Sequence, residues 1–314
     1  MKRYLRYAMS VGFYCLATVG GAEPAQPSAG SPAHFQFTVA GTEITALFDG
    51  YVDFEQSWFL LPEAQSLTDL LGDLPALAQD PIPTSVNGYV IRQGDATVLV
   101  DVGAGHCFGS GLGKLGSHLE RAGFSASDID LVLLTHLHPD HVCGLTSESG
   151  AAHFDNATIW MADAEAAFWL DTDLAELPEE VRSFFVMARD AFAPYPDERV
   201  KRFAPGVEIL PGLLALPAHG HTPGHVGFLV KTGGQDILVW GDVMHNHDVQ
   251  MVRPDISISA DTDPDAARMA RLEFLRQAVA AGWLVAAAHL PFPGLGEVQA
   301  DGDHFRWVPV ATKD

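Results

Sequence analysis

The sequence is poor in positively charged residues. Its 314 residues include 18 Lys and Arg against 40 Asp and Glu, which gives a formal net charge of −22. Binding to nucleic acid or to an anionic membrane needs basic surfaces that neutralise phosphate groups. The charge balance therefore argues against both partners, and we interpret the acidity as a solubilising surface.

Cysteine is also scarce, with three in the chain. Cys15 belongs to the N-terminal segment, so Cys107 and Cys143 are the two that remain for the folded part. Two cysteines do not make a disulfide scaffold, although an exported protein could pair them. Cys143 follows a histidine cluster and could be a metal ligand, but we interpret it as a small buried residue.

The N-terminal segment lacks an apolar run long enough for a comfortable membrane span. Its apolar residues 7–19 follow three basic residues and precede small ones, which is typical of a cleavable export signal. We therefore predict a signal peptide over residues 1–22, a flexible leader over 23–34 and one folded domain over 35–314. The expected location is the periplasm or the outside of the cell.

The sequence has no Gly-x-Ser-x-Gly turn of a serine hydrolase. Its chemistry is concentrated instead at residues 135–141, directly after the apolar run 129–134. Four side chains there have the spacing H-x-H-x-D-H, namely His136, His138, Asp140 and His141. The apolar run predicts a buried strand, and Pro139 suits the first turn of a helix. The motif therefore lies on a strand-to-helix loop, where metal-type ligands can converge.

Pairs of strands that lead to a helix occur twice along the chain. Apolar or alternating runs predict strands at 35–39, 44–48, 85–92, 96–100, 129–134, 157–161, 207–210, 213–216, 226–231, 236–240, 283–288 and 305–309. This pattern favours two packed sheets with helices outside them. The aromatic-rich segment 51–83, around Trp58, has no clear period and could form a homodimer surface.

The H-x-H-x-D-H motif after an apolar strand resembles the metallo-β-lactamase superfamily of hydrolases. Later segments resemble its remaining metal motifs: His221-Thr222-Pro223-Gly224-His225, Gly241-Asp242 and Ala288-His289-Leu290-Pro291. The resemblance implies an α/β fold, a four-layer αββα sandwich, with two divalent metal ions. It implies His136, His138 and His221 on the first metal, Asp140, His141 and His289 on the second, and Asp242 on both. His219 and His225 are the alternatives to His221, and Asp101 matches a residue that orients the metal loop.

Two bridged metals would make hydroxide available near neutral pH, and that hydroxide would be the nucleophile. Asp242 and Asp140 are the residues assigned to catalysis, with Asp242 orienting the hydroxide or carrying a proton. Mixed His and Asp ligands favour Zn²⁺ and also suit Co²⁺, Mn²⁺ or Fe²⁺. His245 and His247 could line the cleft, but we interpret them as solvated or supporting residues.

Longer segments resemble the methyl parathion hydrolase group, namely 44–50, 219–225, 286–294 and 305–310. This implies a small-molecule ester substrate, an organophosphate triester, in a pocket ringed by aromatic side chains. Phe108, Trp169 and one of Phe184 or Phe185 fall where those aromatics would lie. Aryl esters or lactones are also expected substrates. The alternatives are an acyl-homoserine lactonase or thioester hydrolase, and a metal-containing binding protein without turnover.

Overall fold

A computed structural model describes residues 33–62, 65–72 and 77–312. The predicted signal peptide over 1–22 lies outside these ranges, as does the predicted leader up to residue 32. His34, which we predicted to be part of the leader, is the first residue of a strand. Within the described ranges, no helix combines the length and the apolar character needed to cross a bilayer.

The strands and helices are numbered here along the described part of the chain. The strands are β1 His34–Val39, β2 Thr42–Phe54, β3 Phe59–Leu60, β4 Ile82–Gln93, β5 Ala96–Val100, β6 Leu131–Leu133, β7 Thr158–Ala162, β8 Val200–Phe203, β9 Glu208–Leu210, β10 Leu213–Pro217, β11 Val226–Val230, β12 Ile237–Val239, β13 Ser257–Ile258, β14 Leu284–Ala286, β15 Leu295–Asp301 and β16 His304–Pro309. The helices are α1 Leu67–Leu71, α2 Leu115–Arg121, α3 Pro139–Val142, α4 Asp163–Trp169, α5 Glu179–Phe192, α6 His247–Gln250 and α7 Pro264–Ala281.

Most of these strands form two seven-stranded sheets. The first has the order β1-β2-β4-β5-β6-β7-β8, and the second has the order β16-β15-β14-β12-β11-β10-β9. Strands β5 to β8 run parallel, as do β12 and β14. Parallel neighbours end at the same edge of a sheet, so the loops that follow them share one side of the molecule.

Three apolar layers hold the sheets and helices together. The first sheet packs against α2 and α5 through buried residues such as Leu99, Leu119 and Phe185. Side chains of both sheets, among them Ile91 and Phe228, fill the space between them. Helix α7 covers the second sheet through Phe274 and its neighbours. The layers therefore alternate as helix, sheet, sheet and helix, which confirms the predicted αββα sandwich.

Several elements differ from the predictions. The strand predicted at 44–48 is part of the 13-residue strand β2, which continues through the Asp49-Gly50 pair with a shift in pairing register. Strands β8 and β15 were missed because charged and polar residues, such as Lys201 and Glu297, interrupt their apolar character. Trp58 is half-buried, and its segment packs against residues such as Val249 and Ile258. A homodimer through this segment stays a prediction.

A disulfide joins Cys107 to Cys143, which lie 36 residues apart. Cys143 is 1% exposed, so it is buried as expected, but it is bonded to Cys107 and is therefore not a free metal ligand. The bond connects the loop that follows β5 to the end of α3. Backbone hydrogen bonds connect the same segments, from Val102 to His141 and from Gly144 to Gly103. The loop is therefore fixed to the helix that carries the metal motif.

We predict that replacing both bonded cysteines by alanine lowers the free energy of unfolding by about 3 kcal/mol, because the unfolded chain regains the freedom of the closed loop. Urea unfolding of the wild type and of the Cys107→Ala/Cys143→Ala variant, without reductant, measures the difference. Reductant should lower the midpoint of the wild type and leave that of the variant unchanged. Equal midpoints for the two proteins without reductant would contradict the prediction.

Candidate metal centre

Three ring nitrogens from two different loops meet at the edge of the sandwich. His136 and His138 follow β6 of the first sheet, and His221 lies in the loop between β10 and β11 of the second. Nδ1 of His138 is 2.9 Å from Nε2 of His136 and 3.0 Å from Nε2 of His221. We call these residues the first trio. The sandwich therefore brings together side chains that are 83 residues apart in sequence.

A second trio lies beside the first. It consists of Asp140 and His141 in α3 and of His289, which follows β14. The Nε2 atoms of His141 and His289 are 3.3 Å apart, and Oδ2 of Asp140 is 3.5 Å from Nε2 of His289. Pro139 is the first residue of α3, as the sequence predicted, so Asp140 and His141 lie on the first turn of that helix.

Asp242 connects the two trios. It follows β12, and its Oδ2 atom is 3.2 Å from Nε2 of His221 in the first trio. The same oxygen is 3.1 Å from Nε2 of His289 in the second. The residues predicted as ligands are thus brought into one cluster by four loops at the same edge of the sandwich.

The opposite ring nitrogens of these histidines have their own partners. Nδ1 of His141 donates to Asp101, 2.9 Å away, and Nδ1 of His289 donates to the Ser85 carbonyl, also at 2.9 Å. Nδ1 of His221 donates to Asp261 at 2.8 Å. Each partner turns the free Nε2 atom towards the centre, an arrangement that is typical of metal-binding histidines. Asp101 was expected from the sequence, whereas Asp261 was missed.

Asp101 holds more than one part of the metal loop. Its Oδ1 accepts from the backbone N–H of Thr135 at 2.9 Å, and its Oδ2 accepts from the Thr135 hydroxyl at 2.8 Å. The residue itself has a φ of 56°, in the left-handed region that aspartate tolerates better than most residues do. This conformation directs the carboxylate at the end of β6, so Asp101 fixes both His141 and the start of the loop.

The buried negative charge of the carboxylates is stable only if positive charge lies beside it. Burial opposes the ionisation of Asp242, but His141, His289 and His136 outweigh it and hold its pKa well below the usual range. Burial likewise disfavours protonated His221, yet hydrogen bonds to Asp242 and Asp261 raise its pKa to about 9. The negative charge therefore has to be balanced by bound protons or by a cation that displaces them.

The donor set fits divalent metal ions. Burial and the neighbouring histidines hold the pKa of His136 and His138 well below the usual value, so both rings are neutral near pH 7. Nε2 of His136 and Nδ1 of His138 lie 2.9 Å apart, so two ring nitrogens of neutral histidines meet at one point. Oδ1 of Asp242 is buried and accepts no hydrogen bond from the described residues. Imidazole and carboxylate donors that lie this close together are typical ligands of Zn²⁺ and related divalent ions.

His225 holds the loop of Asp242 and is not part of either trio. Its Nδ1 atom donates to the Ala218 carbonyl at 3.0 Å, and its Nε2 atom accepts from the backbone N–H of Asp242 at 3.0 Å. Burial lowers the pKa of its ring to about 3. A Cβ atom at Gly241 would lie 2.5 Å from His225, so glycine is needed there. His219 is exposed, which leaves His221 as the histidine of this loop that reaches the centre.

His245 is closer to the centre than the sequence suggested. It is 6% exposed, and its Nε2 atom is 3.2 Å from Oδ2 of Asp242. Its ring stacks on that of His289, with centroids 5.0 Å apart. His247 is half-exposed and lies 3.8 Å from Asp248 instead. The position of His245 three residues after Asp242 was the available signal, but sequence alone does not separate a buried contact from a solvated residue.

The four predicted pocket aromatics lie in two parts of the structure. Trp169 is buried, and its ring centroid is 5.3 Å from that of His138. Phe185 packs against Trp169 at 4.4 Å. Phe184 is half-buried in the core between the first sheet and its helices. Phe108 lies in the loop after β5, against a small cluster that includes Val86. Trp169 thus has a ring contact with one of the predicted ligands.

The fold and this cluster are typical of one class of protein. It is the class of metal-dependent hydrolases, in which two adjacent sets of metal ligands lie at the edge of an αββα sandwich. The family model of the metallo-beta-lactamase superfamily matches residues 81–289, a range that includes all seven predicted ligands. The chain belongs to that superfamily and is a metal-dependent hydrolase.

Solved structures share the whole fold. The hydrolase AbOPH of the beta lactamase superfamily is 37% identical, with a TM-score of 0.84 over 90% of this chain and 99% of that one. AidC, described as a dizinc quorum-quenching lactonase in complex with a product, is 24% identical, with a TM-score of 0.81 over 90% of this chain and 99% of its own. At that identity, the likeness to AidC supports the fold alone.

Curated relatives match over part of their length. The N-acyl homoserine lactonase AiiB of Agrobacterium fabrum is 27% identical over 194 residues, which are 56% of this chain and 64% of that protein. The endoribonuclease ysh1 of Schizosaccharomyces pombe is 27% identical over 195 residues, 59% of this chain and 25% of its own. The chain thus spans between a quarter and about two thirds of these relatives.

We predict that Asp261→Asn weakens metal binding at the first trio by about 10- to 100-fold, because the His221 ring loses its charged partner. Competition with a chelator, followed by metal analysis, measures the affinity. Asp265→Asn is the matched control, since it removes the same charge from an exposed position nearby and should leave binding unchanged. Equal affinities for the two variants would contradict the prediction.

Proposed function

We propose that the protein hydrolyses neutral small-molecule esters at a centre of two Zn²⁺ ions, with aryl phosphotriesters, aryl esters and lactones as substrates. The observation that carries this proposal is the pair of trios that share Asp242. His136, His138 and His221 would hold one ion, and Asp140, His141 and His289 the other. When bound, the two ions supply an activated water and polarise the oxygen of the substrate.

The residues of the chain have separable tasks in this reaction. Asp242 lies between the trios, where its carboxylate would orient the attacking water. Asp101 and Asp261 keep the histidine rings in the orientation that binding requires. The ring of Trp169 is buried in the core and supports His138, which it borders. Asp140 has a side chain that is 18% exposed and therefore faces the open side of the second trio.

The charges near the centre favour substrates without a negative charge. In the described residues, no lysine or arginine forms a hydrogen bond or an ion pair with any of the seven predicted ligands. The guanidinium of Arg271 is buried nearby, but it donates to the carbonyls of Val243, Pro254 and Ile256. Apart from the two ions, an anionic phosphate monoester or nucleic acid would therefore find no cationic side chain beside the ligands to bind its remaining charge.

A lactonase is the second candidate, and the likeness to AiiB favours it. A lactone is a neutral cyclic ester whose ring oxygen is the leaving group. The two-metal centre proposed for open-chain esters could therefore hydrolyse it by the same reaction. A metal-containing binding protein without turnover stays the alternative from another class. Its distinguishing property would be two bound ions with no hydrolysis of any substrate.

We also propose that the protein is exported. The basic and apolar start of the sequence supports export. The Cys107–Cys143 disulfide adds a second argument, because such bonds persist in oxidising compartments. Mass spectrometry of the secreted or periplasmic chain would identify a mature start near Ala22.

We predict at least about 100-fold higher kcat/KM for neutral esters than for phosphate monoesters, because the centre lacks a cationic side chain for an anion. A paraoxon-like triester, a p-nitrophenyl ester, an N-acyl homoserine lactone and p-nitrophenyl phosphate would be compared with the Zn²⁺ and Mn²⁺ forms. If the lactone alone is hydrolysed, the protein is a lactonase and the phosphotriesterase proposal is wrong. A preference for the monoester would contradict the charge argument.

We predict that the wild type holds two metal ions per chain and that His289→Ala holds about one, since the second trio loses a ligand. Removal of both ions with a chelator should abolish hydrolysis, and added Zn²⁺ should restore it. His219→Ala is the matched control, because His219 is exposed in the loop of His221 and should not change the metal content. Metal analysis of the three proteins decides. One ion in the wild type would exclude the two-metal centre.

A further inference from the structure

Glu165 is a buried carboxylate to which no catalytic role has been given above. It lies in the first turn of α4 and is 1% exposed. Its Oε1 atom accepts from the backbone N–H of Leu137 at 2.9 Å and from Nε1 of Trp169 at 2.6 Å. Its Oε2 atom accepts from the Thr222 hydroxyl at 2.7 Å and from the backbone N–H of Gly224 at 2.9 Å. Both oxygens are therefore fully used.

Three of the four donors belong to the segments that build the first trio, and the fourth, Trp169, lies in α4 itself. Leu137 lies between His136 and His138, on the loop of the first sheet. Thr222 directly follows His221, on the loop of the second sheet. One side chain therefore joins the two loops whose separation decides whether three nitrogens can reach the same ion. Another cross-link, from the N–H of Val226 to the Thr135 carbonyl at 3.0 Å, lies at the base of these loops.

The contact between α4 and the His221 loop leaves no room for adjustment. A Cβ atom at Gly224 would lie 2.1 Å from the backbone nitrogen of Glu165. The His221 loop therefore touches the backbone of α4 directly at Gly224. The Glu165 carboxylate accepts hydrogen bonds from Thr222 and Gly224 of the same loop. Because Trp169 donates to the same carboxylate and borders His138, the carboxylate also orients the ring that packs against this ligand.

The chemistry of the position requires a carboxylate. Four donors point at two oxygens, and an ionised carboxylate has only acceptor sites. Glutamine would replace one oxygen by an amide group with two donors. If that amide faced the His221 loop, the Thr222 hydroxyl could rotate to accept from it, but the Gly224 N–H would lose its acceptor. A buried donor without a partner is unfavourable, so the loop would have to move.

We propose that Glu165 is a positioning residue that sets the separation between the His136–His138 loop and the His221 loop, and thereby the metal affinity of the first trio. It acts through the ligands and does not touch the ion or the substrate. This assignment rests on the two-metal centre of the proposed function. It goes beyond that function because it assigns the metal affinity of one of the two sites to a carboxylate that is not itself a ligand.

The test compares Glu165→Gln in two backgrounds, each of which keeps one trio complete. His289→Ala retains the first trio, and His221→Ala retains the second. The affinity for Co²⁺ is measured by chelator competition, and the visible absorption of bound Co²⁺ reports the ligand geometry. We expect Glu165→Gln to weaken binding by about tenfold and to shift the spectrum in the His289→Ala background. In the His221→Ala background the affinity should change by less than about twofold, because the hydrogen bonds of Glu165 within the described residues go to neither α3 nor the loop of His289.

Asp163→Asn is the matched control, since Asp163 is exposed in the same turn of α4 and loses the same charge. It should leave both affinities unchanged. Equal effects of Glu165→Gln in the two backgrounds, or no effect in either, would overturn the assignment. If the glutamine variant fails to fold, Thr222→Val replaces it, because it removes one donor and keeps the carboxylate. A weaker loss confined to the first trio would then support the proposal, and an unchanged or general loss would overturn it.

The failure of this inference can be told apart from that of the proposed function. If the wild type and the single-trio variants bind Co²⁺ as expected but Glu165→Gln has no selective effect, only the role of Glu165 is excluded. If the wild type itself binds fewer than two ions, the two-metal centre is excluded, and the role of Glu165 with it.

Discussion

The structure depends on the convergence of buried negative charge at one edge of the sandwich. Asp242 is 3% exposed and lies among histidines whose outer nitrogens are bound to Asp101, Asp261 and a backbone carbonyl. Such a cluster is stable only when positive charge compensates it. The fold meets this requirement by bringing four loops from two sheets to the same place. The apolar layers between and outside the sheets serve to keep those loops in register.

The central elements could be predicted because their signals are local. An apolar run followed by His136, His138, Asp140 and His141 is readable in a short window, and Pro139 marks the start of α3 within it. The later loops follow the same rule, a strand and then a ligand. The family resemblance supplied their grouping, which spacing alone does not give. The αββα sandwich and the metal-dependent hydrolase class were confirmed on this basis.

The remaining features depend on distance in three dimensions. Asp261 lies 40 residues from His221 and has no motif of its own, so its hydrogen bond could not be foreseen. Glu165 reads as an ordinary helical residue, and only the fold brings it between two loops. Strand β8 carries charged residues that suit an edge of a sheet, which hides it from hydrophobic periodicity. The pairing of Cys107 with Cys143 likewise needs the loop after β5 to lie on α3.

The Cys107–Cys143 bond also closes residues 107–143 into a covalent ring. The ring includes α2, β6 and the whole H-x-H-x-D-H motif. Residues 109–111, within the ring, form an exposed turn that a protease can reach. A cut at that turn would open the backbone without separating the two pieces, which would stay linked until the bond is reduced. In a protease-rich environment, one nick at this point would therefore leave the metal-binding segment attached to the rest of the molecule.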